Sequence, residues 1–423
     1  MKTLLSAMFV VATCSAAAQQ HLNLTESLRL ARLSSPTLQA ARAEADAANA
    51  GARAARAQTL PQLSVNGFGT TGNQTSILSS SPMVEPPAWM MTPPGTFIDG
   101  NLMLMVPLIA SRLKAMKSAA SWQSRAAAGE FAEVQAEVDL RVAEAYYEVL
   151  RARQMVSAAV SRVAAAQELV NNARARFEAG SGIEANVSRA QAELSSAERQ
   201  VTSARNDEAK AVLELQTVIG QDQATNVVVD EETIDIPDLT LDNALKLAKE
   251  NRGVSIAARA RVEAASAEVR AAQGQRSPQL YGVAMGDVTN RRDMGGVTAG
   301  LTLSFPLFDG GRISAETAQA KAMRTRAEAQ LKDAELTVQK EVRQAVLDLQ
   351  TARSNEVSAA ASVKAAQSAY EVIALRVQAG KSILVEQLDA LQVLTEARAD
   401  LARATFEVQL AKARLMKASG GTK

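Results

Sequence analysis

From Arg112 to Gly180 the chain runs for 69 residues without proline and with one internal glycine, Gly129. Along that run apolar residues recur at Val138, Val142, Ala145, Val149, Ala152, Val156, Val160 and Val163. The steps alternate between four and three with one stutter, which predicts a stripe on a supercoiled helix. A second copy follows at Arg312 to Gly380, displaced by 200 positions without gaps. Ala145/Ala345, Ala152/Ala352, Arg153/Arg353, Val163/Val363, Gln167/Gln367, Arg176/Arg376 and Gly180/Gly380 coincide. Each copy predicts a helix about 100 Å long at ~1.5 Å per residue. Such a rod is stable only packed beside other rods.

The rest of the pattern is duplicated as well. Leu22 to Gly69 returns as Leu239 to Gly286, displaced by 217. Each block predicts a short helix, with Thr25 and Asp242 as its N-caps. A second helix follows, at about 37–59 and about 254–276, and proline closes both (Pro61, Pro278). The period then changes to two. Leu63, Val65 and Gly67 alternate with Ser64, Asn66 and Phe68, and Gly100, Leu102, Leu104 and Val106 alternate with Asn101, Met103 and Met105. In the second half Val297, Ala299, Leu301, Leu303 and Phe305 alternate with small or polar residues. Strands are expected at about 62–69, 98–106, 279–286 and 297–305, each near the length of a tilted membrane-spanning strand. Loops at 70–96 and 287–295 connect them.

Ala179-Gly180 and Ala379-Gly380 end the long helices, and glycine there permits a reversal into a returning helix. The returning helices carry Val187, Ala190, Leu194, Ala197, Val201, Ala204 and Ala390, Leu394, Ala397, Leu401, Ala404, Val408, Ala411, Leu415. The expected organisation is a first repeat at 19–220, an acidic irregular linker at 221–238 and a second repeat at 239–423. Four strands cannot close a membrane barrel, so the chain is expected to assemble with copies of itself. Two copies would supply eight strands and three would supply twelve with a larger lumen.

Composition narrows the class. Hydrophobic residues make up 47% of the chain but aromatics only 3%, which suits closely approaching alanine-rich helices. A formal charge of +1 from interleaved acids and bases offers no footprint for nucleic acid. Residues 1–18 read as a secretory signal, with Lys2, an apolar run and Ala16-Ala17-Ala18 before Gln19. Cleavage would discard the single cysteine, Cys14; the alternative is a lipoprotein signal acylated at Cys14. No later apolar run reaches the length of a spanning helix.

Three motifs then stand out: Leu-x-Leu-x-x-Ala-Leu-x-Leu-Ala at 239–248, Pro306-Leu-Phe-Asp-Gly-Gly-Arg312, and Gln378-Ala-Gly380 followed by Val385-Glu-Gln-Leu-Asp-Ala390. With the duplicated plan, they resemble the TolC family of outer-membrane efflux channels. The resemblance implies a mainly α fold with a small membrane β part. It implies a homotrimer whose α-helical barrel, in the periplasm, joins a 12-stranded β-barrel in outer-membrane lipid. A periplasmic adaptor (membrane fusion protein) and an inner-membrane pump are the implied partners, in efflux or type I secretion. The first half departs from the pattern: Pro107-Leu-Ile-Ala-Ser-Arg112 lacks the paired glycines and is one residue shorter.

Candidate chemistry is sparse. The sole histidine, His21, and a discarded cysteine leave no nucleophile–base set and no usual zinc ligands, so no catalytic, cofactor or metal site is expected. Glu386 and Asp389, three apart at a helix start, share a face. The resemblance places them at the periplasmic constriction, where three chains would arrange six carboxylates about one axis. Asn186 and Arg189 hold the first-repeat positions, and Arg189 is expected to tie to an acid of the neighbouring helix pair. The turns Ala179-Gly180-Ser181 and Ala379-Gly380-Lys381 are implied as adaptor contacts. Phe68, Phe97, Tyr281, Phe305 and Phe308 flank the strands as candidates for interfacial aromatics, with ordinary packing as the alternative. Trp89 has no assigned role. The rival reading is a structural periplasmic coiled-coil protein without a pore.

Overall fold

The computed structural model describes residues 20–73, 76–79, 89–92, 94–223, 227–235, 240–290 and 295–421; the signal expected at 1–18 lies outside them. In order the elements are β1 (Gln20–Leu22), α1 (Leu24–Ser34), α2 (Pro36–Ala57), β2 (Gln62–Gly72), β3 (Ser76–Ser79), β4 (Trp89–Thr92), β5 (Gly95–Ile109) and α3 (Ser111–Glu178). They continue with α4 (Glu184–Ile219), β6 (Val227–Val229), α5 (Leu241–Asn251), α6 (Gly253–Gly274), β7 (Gln279–Thr289), β8 (Gly296–Ser304), α7 (Arg312–Gln378) and α8 (Leu384–Ser419). The chain forms two compact units, each drawing on both repeats: Met1–Ala41, Phe131–Arg252 and Thr337–Lys423 in one, Arg42–Glu130 and Gly253–Leu336 in the other.

The second of these units holds a four-stranded antiparallel sheet in the order β2-β5-β7-β8. Its register aligns the alternation read from the sequence across the strands. Leu63 faces Leu104, Leu104 faces Ala284, and Ala284 faces Ala299. One face is therefore apolar from edge to edge, and Val65, Leu102, Val297, Leu301 and Leu303 on it are exposed. The opposite face is mixed: Met103, Met105, Val283 and Met285 share it with Asn66 and Asn101, whose side chains meet with Asn66 Nδ2 donating to Asn101 Oδ1 at 3.0 Å. Both edge strands, β2 and β8, are paired on one side only.

Several expectations in this unit need correction. The stretch 70–96 is not all loop: β2 runs to Gly72, β5 begins at Gly95, and β3 pairs with β4, with Ser79 opposite Trp89. Residues 74–75, 80–88 and 93 of that stretch lie outside the described set, as do 291–294 of the second loop. Phe97 is buried rather than interfacial, whereas Phe305 and Phe308 are exposed. Tyr281 is half-buried, its hydroxyl donating to Gln279 Oε1 at 2.9 Å, and the Phe68 side chain lies outside the description.

The two strand-to-helix turns do differ. In the second repeat Asp309 accepts from Gly311 N–H at 3.0 Å and Ile313 N–H at 2.7 Å, capping α7 behind two glycines of positive φ. Those bonds to the charged form hold the Asp309 carboxyl below the usual carboxylate range. The first repeat instead carries a register shift between Pro107 and Ile109, and α3 starts one residue after buried Ala110. Gly129 marks a close crossing of α3 on α6. A Cβ there would lie 2.8 Å from Ala257 N and 2.9 Å from Gly253 O.

In the other unit the α3 stripe is buried at Val138, Val142, Ala145, Val149 and Ala152, but Val160 is exposed. Beyond Ala152 the buried line passes through Ala159, Ala166 and Ala173, in heptad steps of alanine that let the helices approach closely. The N-caps lie two residues earlier than expected. Asn23 Oδ1 accepts from Glu26 N–H at 2.7 Å and Thr240 Oγ1 from Asn243 N–H at 3.4 Å. Thr25 and Asp242 already sit inside the first turn; Thr25 instead bonds Glu232 through its N–H at 3.1 Å and its hydroxyl at 3.0 Å. Nor is the linker wholly irregular, because β6 pairs in parallel with β1. Tyr146 and Tyr147 of α3 hold the segment after β6 by donating to the carbonyls of Asp230 and Glu232.

Candidate functional site

The candidate site lies at the two helical reversals. α3 ends at Glu178, and Gly180 takes φ 73° while its N–H donates to Phe177 O at 3.0 Å. Ser181 N–H reaches Arg176 O at 2.9 Å. α7 ends the same way: Gly380 takes φ 69°, its N–H donates to Val377 O at 3.1 Å, and Lys381 N–H donates to Arg376 O at 2.8 Å. This paired bonding past a left-handed glycine satisfies the last helical carbonyls. Ala179, Gly180, Ser181, Ala379, Gly380 and Lys381 are all exposed.

α8 then starts with two contrasting faces. Leu391 is buried and Leu384 and Leu388 are partly buried against Leu169, Val170, Ala190 and Leu194 of α3 and α4. That apolar contact fixes the roll of the helix, and it turns Glu386 and Asp389 outward, both exposed. Glu386 also accepts from the Ser382 hydroxyl just before the helix. The carboxylates therefore share an exposed face, and Glu386 lies in the first turn, where the positive end of the helix dipole favours it. In the first repeat Asn186 is half-buried and Arg189 is exposed. Among the described residues Arg189 has no acid partner.

Reading the sequence for acids missed one participant, Arg176. Its guanidinium donates to Val377 O and to Gln378 O, the latter at 3.0 Å, so it ties the end of α3 to the carbonyl end of α7. The signal was present in the Arg176/Arg376 correspondence of the repeat. Among the described residues no group of acids, histidines or cysteines is placed to hold a metal ion.

The family model for outer membrane efflux protein matches residues 27–221 and 244–421. The chain is similar to the outer membrane efflux protein BepC of Brucella suis biovar 1, at 28% identity over 288 residues, which is 65% of this chain and 61% of that protein. It is also similar to the outer membrane protein TolC of Vibrio cholerae serotype O1, at 25% identity over 94% of this chain and 90% of that protein. The solved structure of the outer membrane protein VceC from Vibrio cholerae shares the fold, with a TM-score of 0.79 at 21% identity over 94% of this chain and 96% of that one. Because the family match runs through both repeats, the chain belongs to the outer membrane efflux protein family.

Proposed function

We propose that this protein is the outer-membrane exit duct of a tripartite efflux or type I secretion assembly, passive in itself and not an enzyme. The observation that carries this beyond family membership is the sheet: four strands, an exposed apolar face, and two edges left open. An apolar face suits lipid, and open edges cannot persist there, so three copies close a twelve-stranded barrel. The coiled-coil alternative gives such a sheet no purpose. In the trimer Glu386 and Asp389 ring the periplasmic constriction, with Asn186 and Arg189 beside them. The exposed turns at 179–181 and 379–381 meet a periplasmic adaptor, which links the duct to an inner-membrane pump. The experiment is mass measurement in mild detergent with conductance in planar bilayers. A conducting trimer is expected, and a stable folded monomer rejects the closed barrel.

A further inference from the structure

The four-stranded sheet sorts its apolar side chains between its two faces. Short of the register shift at Pro107, every leucine and isoleucine of β2, β5, β7 and β8 lies on the apolar face. Every methionine of those strands, Met103, Met105 and Met285, lies on the mixed one. Bulk alone does not ask for that sorting, since leucine and methionine exchange readily in packed sites. What methionine adds is a polarizable thioether, which ligates soft metal ions. The register gathers the three sulfurs within one chain. Met103 and Met285 are direct cross-strand partners, and Met105, opposite Val283, is diagonal to Met285. Opposed Cβ atoms lie about 5 Å apart and diagonal ones about 7–8 Å, separations that long flexible side chains span. All three methionines are half-buried. One layer along the same face, Asn101 is paired with Asp287. Asp99 lies diagonal to Asp287, is 5% exposed and accepts from Asn101 Nδ2 at 3.3 Å. At ~3.4 Å per residue, Asp287 stands about 7 Å along the strand from Met285.

We propose that Met103, Met105 and Met285 form a thioether site for a soft monovalent cation, copper(I) or silver(I), which the carboxylates of Asp99 and Asp287 draw towards this face. Carboxylates raise the local cation density without discriminating between ions, and the sulfurs supply the discrimination. Calcium and zinc find no matching ligand set there, since they take oxygen donors or thiolate and imidazole. A thioether has no proton to lose, so the site exchanges nothing but the ion, as a point of contact along a passage requires. All five residues belong to one chain, so the site itself needs no second copy. Its purpose, contact with cargo inside the barrel, rests on the duct reading.

The test is calorimetric titration of silver nitrate into the full-length protein in mild detergent and chloride-free buffer, with its mass measured in parallel. Wild type should take up one more silver ion per chain than Met103→Leu/Met105→Leu/Met285→Leu. Met116→Leu/Met323→Leu, which changes exposed methionines of α3 and α7, should keep the wild-type uptake. Excess zinc(II) should not compete, and X-ray absorption at the silver edge should find sulfur neighbours. Should the triple variant fail to assemble, Met285→Leu alone carries the test and should already weaken the binding. Equal uptake in wild type and variant, or displacement of silver by zinc, overturns the site. A trimer without the extra silver overturns the site and leaves the duct standing; a monomer that takes up the silver does the reverse, and a monomer that does not overturns both.

Discussion

Tyr147 meets Tyr146 edge-on, ring centroids 5.2 Å apart at 86°, and the two adjacent hydroxyls hold the segment after β6 against α3. Consecutive helix residues diverge by about 100°, so both reach one strap only because it wraps across the helix. Burial, with Glu232 adding its charge, pushes the Tyr146 phenol up to about 12, and burial pushes Tyr147 up as well. A raised phenol pKa means the folded state favours the neutral form. The contribution is therefore complete below the unfolded value of about 10 and is lost as pH rises from there through the folded value. Melting temperature should hold between about pH 8 and 9.5 and fall above about 10, and the fall should be shallower in Tyr146→Phe. A phenolate absorbance titration should find two late-ionising tyrosines. If all four tyrosines of the chain titrate together near pH 10, the strap is not closed in solution.

Arg252 is the most committed charge among the described residues. Only 3% exposed, it donates to Glu133 at 2.9 Å, to Glu341 at 2.7 Å and to Lys417 O at 3.1 Å, joining α3, α7 and the end of α8. Removing it takes the shared cation from Glu133 and from Glu341, whose side chain is 40% exposed, so the loss should fall below the roughly 3–5 kcal/mol of a fully buried pair broken on one side. Arg252→Ala should therefore lower the denaturation midpoint clearly. Arg252→Lys should recover little, since one ammonium cannot copy the forked geometry. A wild-type midpoint in either variant would show that Glu133 and Glu341 find other partners.

Two glycines in helices should respond in opposite ways. Gly129→Val drives side-chain atoms into the α6 backbone at Gly253 and Ala257, with about 1–3 kcal/mol or more of overpacking. Gly51 lies inside α2 with nothing within 4 Å of an added Cβ, so Gly51→Ala should stabilise by about 0.5–1 kcal/mol through helix propensity. Thermal unfolding of the two variants side by side checks both signs. If Gly129→Val is neutral, α3 and α6 do not cross where the structure has them.

What was legible in the sequence follows from period. The α3 and α7 helices and the alternation in three of the four sheet strands were visible because a repeated apolar stripe has one low-energy partner surface. The short hairpin β3–β4 and the pair β1–β6 were not, since three or four residues are too few to display a period. The caps were misplaced by two residues because Asn23, Thr25, Thr240 and Asp242 are all competent oxygens, and only backbone position chooses between them. Val160 failed for a related reason: the valine spacing continued, but the buried line had passed to Ala159 and Ala166. At the reversals, spacing placed Glu386 and Asp389 on one face. The Arg176 clamp is a side-chain-to-carbonyl contact, and no residue spacing announces that.

The carboxylate ring gives the most direct test of the functional proposal. Glu386 and Asp389 are exposed, and among the described residues Glu386 has only the Ser382 hydroxyl as a partner. Neutralising them should therefore leave folding and trimer formation unchanged, as surface charges contribute little. Six carboxylates about one axis concentrate counter-ions and raise the local cation density, so the wild-type pore should be cation-selective and blocked by trivalent cations. In Glu386→Gln/Asp389→Asn the block should weaken by at least an order of magnitude and the selectivity should approach neutrality, with little change in open-state conductance at high salt, where screening already removes the field. Single-channel recording in planar bilayers across a range of salt reads block, selectivity and conductance. Unchanged block and selectivity in the double variant would return these side chains to an ordinary solvated helix face and move the constriction elsewhere in the tube.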